Sequence, residues 1–244
     1  MITQIAALAL ASAGNLPAAP DQPSTGTRVP QPEVPITEPL QQDAASQVRE
    51  RFATCVYQRR PAQVDALLAA SDTNNVDYEA AGIGRRRLNW ALAMDYCLGR
   101  ATSVTDSDLK MILSFPSLRA MMLEHSYRAH NPSGPAWVRS PTVQPVRRFV
   151  STGDDLLRAQ ASGSFADCVV ASVPREADTL IRTPVNSKAE QAALRPLIPH
   201  LAPCIGNGVQ VSLQAAQLRA LLADGLWTAW RASTAGPLAP AGGE

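Results

Sequence analysis

The sequence predicts an all-α protein made of two copies of a small helical unit, each closed by its own disulfide. Three observations predict it. Apolar residues recur at helical spacing, alternating runs that would signal strands are confined to VQVSL (209–213) and TVQPV (142–146), and segments 113 positions apart repeat one pattern around a cysteine.

Aligning FATCVYQRRPAQVDALL (52–68) with FADCVVASVPREADTLI (165–181) gives seven identities in 17 positions, where unrelated segments give about one. They include Phe52/Phe165, Cys55/Cys168, Pro61/Pro174 and Asp65/Asp178. Downstream, Cys97-Leu98-Gly99 matches Cys204-Ile205-Gly206 at an offset of 107, and LRAMMLEHSY (118–127) matches LRALLADGLW (218–227) at an offset of 100. The units are placed at 41–128 and 150–232, with a proline-containing linker at 129–149 and a tail at 233–244.

In the first helix of each unit, Val48, Phe52, Cys55 and Val56 fall at i, i+4, i+7 and i+8, and Ala161, Phe165, Cys168 and Val169 repeat that stripe. Pro61 and Pro174 then restart the chain, because proline is tolerated in a first turn and disruptive inside a helix. The second helix carries Val64, Leu67 and Leu68, or Ala177, Leu180 and Ile181. Gly82-Ile83-Gly84 reads as a loop leading into the third block, whose face is Trp90, Ala91, Met94, Cys97 and Leu98, matched by Leu197, Ile198, Leu201, Cys204 and Ile205. Ser187 and Glu190 have capping-box spacing. Leu118, Met121 and Met122, or Leu218, Leu221 and Leu222, face inward from the last helix.

Ahead of the repeat, residues 2–13 read ITQIAALALASA, shorter than the roughly 20 residues that span a bilayer. The stretch ends in Ala11-Ser12-Ala13, a small-x-small signal, so residues 1–13 read as a signal peptide, although its amino-terminal region lacks Lys and Arg. Residues 14–40 hold seven prolines and read as a disordered, extended tether. No other apolar run approaches membrane-spanning length, and the implied location is periplasmic or secreted.

Four cysteines in an exported chain allow three pairings, and the duplication selects Cys55–Cys97 and Cys168–Cys204 as equivalent links. Loops of 42 and 36 residues put each at about 4 kcal/mol in the chain-entropy model, an upper figure. Buried free thiols are the alternative, and a metal site lacks CxxC spacing.

With 22 Lys+Arg against 21 Asp+Glu, the chain has no global excess of positive charge for blanketing nucleic acid. No nucleophile elbow, zinc helix, P-loop or dinucleotide glycine pattern is present, and no catalytic residue, metal ligand or cofactor is predicted. A histidine site would start from His125 and His130, with Glu124 and Ser126, yet five residues place the rings about 140° apart on a helix. These two and His200 are expected at the surface or at helix ends. Arg85, Arg86 and Arg87 read as a solvated first turn, with contact to an anionic envelope component as the sharper alternative. Charge is kept at Asp65/Asp178, Arg119/Arg219 and Glu124/Asp224. The expected arrangement pairs Asp65 with Arg119 and Asp178 with Arg219; the alternative is a polar spot for a ligand or partner.

With the blocks FADCVV, LRPLIPHLAPCI and LRALLADGLW, the chain resembles a group of uncharacterised exported helical proteins of alphaproteobacteria. The resemblance is fullest in the second unit. It implies an extracytoplasmic helical protein and carries over no catalytic residues. The leading functional expectation is a non-enzymatic scaffold or partner-binding module, acting on an envelope protein or envelope component, with no nucleic acid and no transmembrane span. The alternative is a small periplasmic hydrolase at a cleft between the units, built on His125 or His200.

Overall fold

The computed structural model describes residues 42–103, 111, 113–139, 147, 149–205 and 212–234. The signal-peptide, tether and TVQPV readings, and most of VQVSL and the tail, lie outside them. Among the described residues the architecture is helical, and the only β pairing is an isolated bridge from Ser71 to Val76.

The first half contains α1 (Gln42–Arg59), α2 (Pro61–Ala69), α3 (Leu88–Ala91), α4 (Met94–Thr102) and α5 (Phe115–His130). The second contains α6 (Gly153–Ser172), α7 (Pro174–Arg182), α8 (Lys188–Leu194), α9 (Ile198–Leu201) and α10 (Ala215–Thr234). Pro61 and Pro174 each occupy a first helical position, where the missing N–H costs no intrahelical bond. Ser114 caps α5 by accepting from the Ser117 N–H, and Ser187 caps α8 by accepting from the Glu190 N–H. Glu190 reaches back one residue beyond the expected box, to the Asn186 N–H at 2.7 Å.

Both cysteine pairs form as expected, Cys55–Cys97 tying α1 to α4 and Cys168–Cys204 tying α6 to the 3-10 turn after α9. The third block departs from its predicted continuous face. Ala93 adopts a left-handed conformation that separates α3 from α4; Leu92 is buried in place of Trp90, which is 73% exposed. Proline similarly divides the matching region into short pieces and leaves Ile198 outward. The last helices run past the expected unit bounds at 128 and 232, α5 to His130 and α10 to Thr234.

One hydrophobic core runs through both halves, from Phe52 and Leu68 to Leu180 and Leu226. The central pair is α5 against α10, with α5 also packed on α1 and α2, and α10 on α6 and α7. Asp72 fastens the loop after α2 to the second half. Its carboxylate accepts from the N–H groups of Asn74, Asn75, Val150 and Ser151 and from the Ser151 hydroxyl. Burial works against that charge, but the donors outweigh it and hold the Asp72 carboxyl below its usual range.

Candidate functional site

The α5–α10 pair carries the buried charges, and they pair differently from expectation. Arg119 donates to Asp224 at 2.7 Å, while Arg219 grips both oxygens of Glu124 at 2.8 Å. Each arginine therefore binds the carboxylate that follows the other arginine on the facing helix. The expected Asp65–Arg119 and Asp178–Arg219 pairs do not form because both arginines reach across to the facing helix. Asp65 instead accepts from Ser126 at 2.6 Å and contacts His130 at 3.0 Å, and Asp178 takes Arg182 one turn along α7.

Arg219 is saturated within the fold. Besides Glu124 it donates to Glu190 at 3.1 Å and to the Leu180 and Ile181 carbonyls, so its guanidinium serves the structure rather than a ligand. Asp224 has a second cation, Arg147 of the linker, which also binds Asp167 through two nitrogens. The matched carboxyls consequently move in opposite directions. Burial raises Glu124 against the pull of Arg219, whereas at Asp224 the combined Arg119 and Arg147 overcome burial and lower it.

Beside Glu124 lies a cleft of about 560 Å³ between α1, α4, α5 and α10. Its walls are largely apolar, including Val48, Ala53, Leu98, Leu113 and Met121, and Glu50, Glu124, Arg49, Arg219 and His125 are among its polar lining residues. This composition and size belong to ligand-binding pockets.

His125 is buried rather than exposed as expected, because its ring lies between α5 and α1, against Thr54 and Glu50. Burial, aided by the Arg128 charge, pushes it down to about 4, so the ring is neutral at pH 7. Arg128 donates to Nδ1 at 2.7 Å, which assigns the proton to Nε2, facing Thr54 at 3.3 Å. His130 sits at the end of α5, stacked on Trp230 with 4.2 Å between centroids. His200 lies on α9, away from the residues lining the cleft.

Arg85, Arg86 and Arg87 form an exposed 3-10 turn before α3, as their spacing implied. Among the described residues no group of three His, Cys, Asp or Glu is placed to hold a metal ion. No described helix is long and apolar enough to cross a membrane.

Sequence reasoning placed Glu124 and His125 near candidate chemistry and named a cleft between the units, but missed Glu50. Glu50 matches Gly163 at the same offset of 113, and that charge-for-glycine difference was the available signal.

Fold and site together define a disulfide-closed helical protein with an apolar cleft between its halves. Comparison of the chain with protein-family models, curated proteins and solved structures gives no match.

Proposed function

We propose that the chain is an exported, non-enzymatic binding module of two homologous helical units, with the cleft between them as the seat of its partner. The observation that carries this reading is the cleft itself, apolar on its walls and lined by side chains already engaged within the fold. The reciprocal Arg119–Asp224 and Arg219–Glu124 bridges support the duplication, since matched positions make matched contacts. Export, to the periplasm or beyond, draws support from the leader-like residues 1–13 and the two disulfides.

The hydrolase reading gains little from the histidines. A base of the serine-hydrolase type needs a free Nε2 lone pair and an acidic partner at Nδ1. At His125 an arginine occupies Nδ1, and Ser126 gives its hydroxyl hydrogen to Asp65 rather than to a ring nitrogen.

The test is uptake of a neutral solvatochromic dye, Nile red, by the full chain. We expect blue-shifted emission that Ala216→Trp suppresses by covering the exposed end of the cleft wall. Absence of the shift, or a shift unaffected by Ala216→Trp, overturns the cleft as a binding site.

A further inference from the structure

Beyond the cleft, we propose that the exposed corner carrying Arg85, Arg86, Arg87 and Trp90 is a docking surface for a bilayer containing anionic phospholipid. The guanidiniums take lipid phosphates and the indole sits at headgroup level. The 3-10 turn Arg85–Arg87 runs directly into α3, so Arg86 and Arg87 stand four and three residues before Trp90, on one side of the helix. Leu88 and Leu92 pack against the core from the other side.

Two features separate this corner from an ordinary solvated turn. Trp90, at 73%, is the most exposed of the large apolar side chains among the described residues. It is held outward by Ala93, whose left-handed backbone (φ 53°) is disfavoured for a residue with a Cβ. The chain thus keeps a strained residue and forgoes the burial a Trp normally gains.

Charge is the second feature. Among the described residues no carboxylate lies within ion-pair distance of Arg85, Arg86 or Arg87. Glu79 and Asp95, the exposed acids of the same stretch, pair with no described arginine, and Asp77 accepts from the Ala80 N–H. On the next helix Tyr96 is half-exposed, with the Arg59 guanidinium 4.1 Å from its ring centre and Arg100 one turn along. Five arginines therefore stand against three carboxylates. The combination of unpaired cations with an exposed indole is the one that anionic membrane interfaces favour, whereas a soluble anion would use the charge and leave the indole in water.

The helical frame does not demand this corner. At an offset of 107 the second half places Ala192, Ala193, Leu194 and Leu197 at these four positions, and Leu197 is fully buried.

The test is co-sedimentation of the full chain with vesicles of phosphatidylcholine, with or without about one-third phosphatidylglycerol. The reading is the ratio of partitioning between the chain and each variant, which cancels any binding through other segments. Because the four side chains are exposed, the variants should fold, as far-ultraviolet circular dichroism will check. Replacing the three arginines together (Arg85→Gln, Arg86→Gln, Arg87→Gln) should lower partitioning onto anionic vesicles by more than about tenfold, and high salt should shrink that difference. Trp90→Ser should lower it by about fivefold. On phosphatidylcholine alone the triple variant should match the chain. Unchanged partitioning of either variant onto anionic vesicles overturns the inference, and so does an equal arginine effect on the uncharged ones. Retention on heparin that depends on the arginines, without vesicle partitioning that does, makes this a soluble-anion site and also overturns it. None of the four residues lines the cleft, so Nile red uptake tests the binding reading separately.

Discussion

The α1–α5 and α6–α10 pairs are matched in sequence and differ in how closely their helices meet. At Gly225 an added Cβ would stand 2.8 Å from the Ala166 carbonyl oxygen and 2.9 Å from Val170 Cγ2, so α10 lies directly on α6. The matched residue on α5 is His125, whose ring fills the space to Thr54 and Glu50 on α1. Beyond it the first half has a cleft, while in the second half Arg147 covers the corresponding place over Gly163. Two helix pairs aligned in sequence thus give one closed interface and one open one according to a few side chains at aligned positions.

The largest expected effect tests how alike the halves are as folding units. Replacing both cysteines of either pair by serine should lower stability by about 4 kcal/mol at most. Loops of 42 and 36 residues make the entropic contributions nearly equal, differing by about 0.1 kcal/mol. Urea denaturation of the two double variants should therefore give similar losses. A much larger loss for Cys168/Cys204 would show that the close α6–α10 packing depends on its disulfide in a way the α1–α5 pair does not.

The carboxylates sharpen the contrast. Asp224→Asn strands the buried Arg119 guanidinium, leaves Arg147 to Asp167 alone, and should cost about 4 kcal/mol, in the range for breaking a buried pair from one side. Glu124→Gln leaves Arg219 with Glu190 and two backbone carbonyls and should cost about 2 kcal/mol. Chemical denaturation of the two variants compares them directly. Equal losses would mean that Arg147 contributes nothing to holding Asp224.

Close approach is tested at Gly225. Gly225→Ala should cost about 3 kcal/mol, because the contact is with backbone that cannot rotate away. Gly163→Ala should cost less, about 1 kcal/mol, since the atoms it meets belong to the flexible Arg147 side chain. Thermal unfolding read by circular dichroism distinguishes them, and a neutral Gly225→Ala would refute the close contact.

Much of the frame was legible in the chain because it rests on local rules. The stripe Val48, Phe52, Cys55 and Val56 needs only helical period, and Pro61 and Pro174 need only the missing N–H to mark a new first turn. The cysteine pairs followed from aligning the two cysteine-containing sequence blocks. Arginine pairing was illegible since sign retention at Asp65, Arg119 and Glu124 cannot say whether a helix pairs with its own half or the facing one. Burial of His125 was missed for a related reason. A position that aligns with glycine at an offset of 100 carries no framework signal until the distance between the helices is known. Trp90 turned outward because a single left-handed residue, Ala93, shifted the register of everything before it.

His125 offers the finest discrimination, because only the first half has a titratable group at this position. Its folded value of about 4 lies below the ordinary 6.5, so the unfolded chain binds the extra proton across that interval. Stability should therefore fall as pH drops from about 6.5 toward 4 and change no further through this group below that. The whole interval corresponds to about 3 kcal/mol. Glu124 acts in the opposite sense, since a carboxyl raised by burial contributes stability at low pH and loses it as pH rises through its folded value. A single pH profile would mix the two. The informative measurement is the difference between the full chain and His125→Gln, followed by urea midpoints from pH 7 to pH 4. The variant should lose most of the acid-side slope while retaining the Glu124 contribution. An unchanged slope would mean that the ring already meets water, and with it would go the idea that His125 forms the packed wall separating α5 from α1.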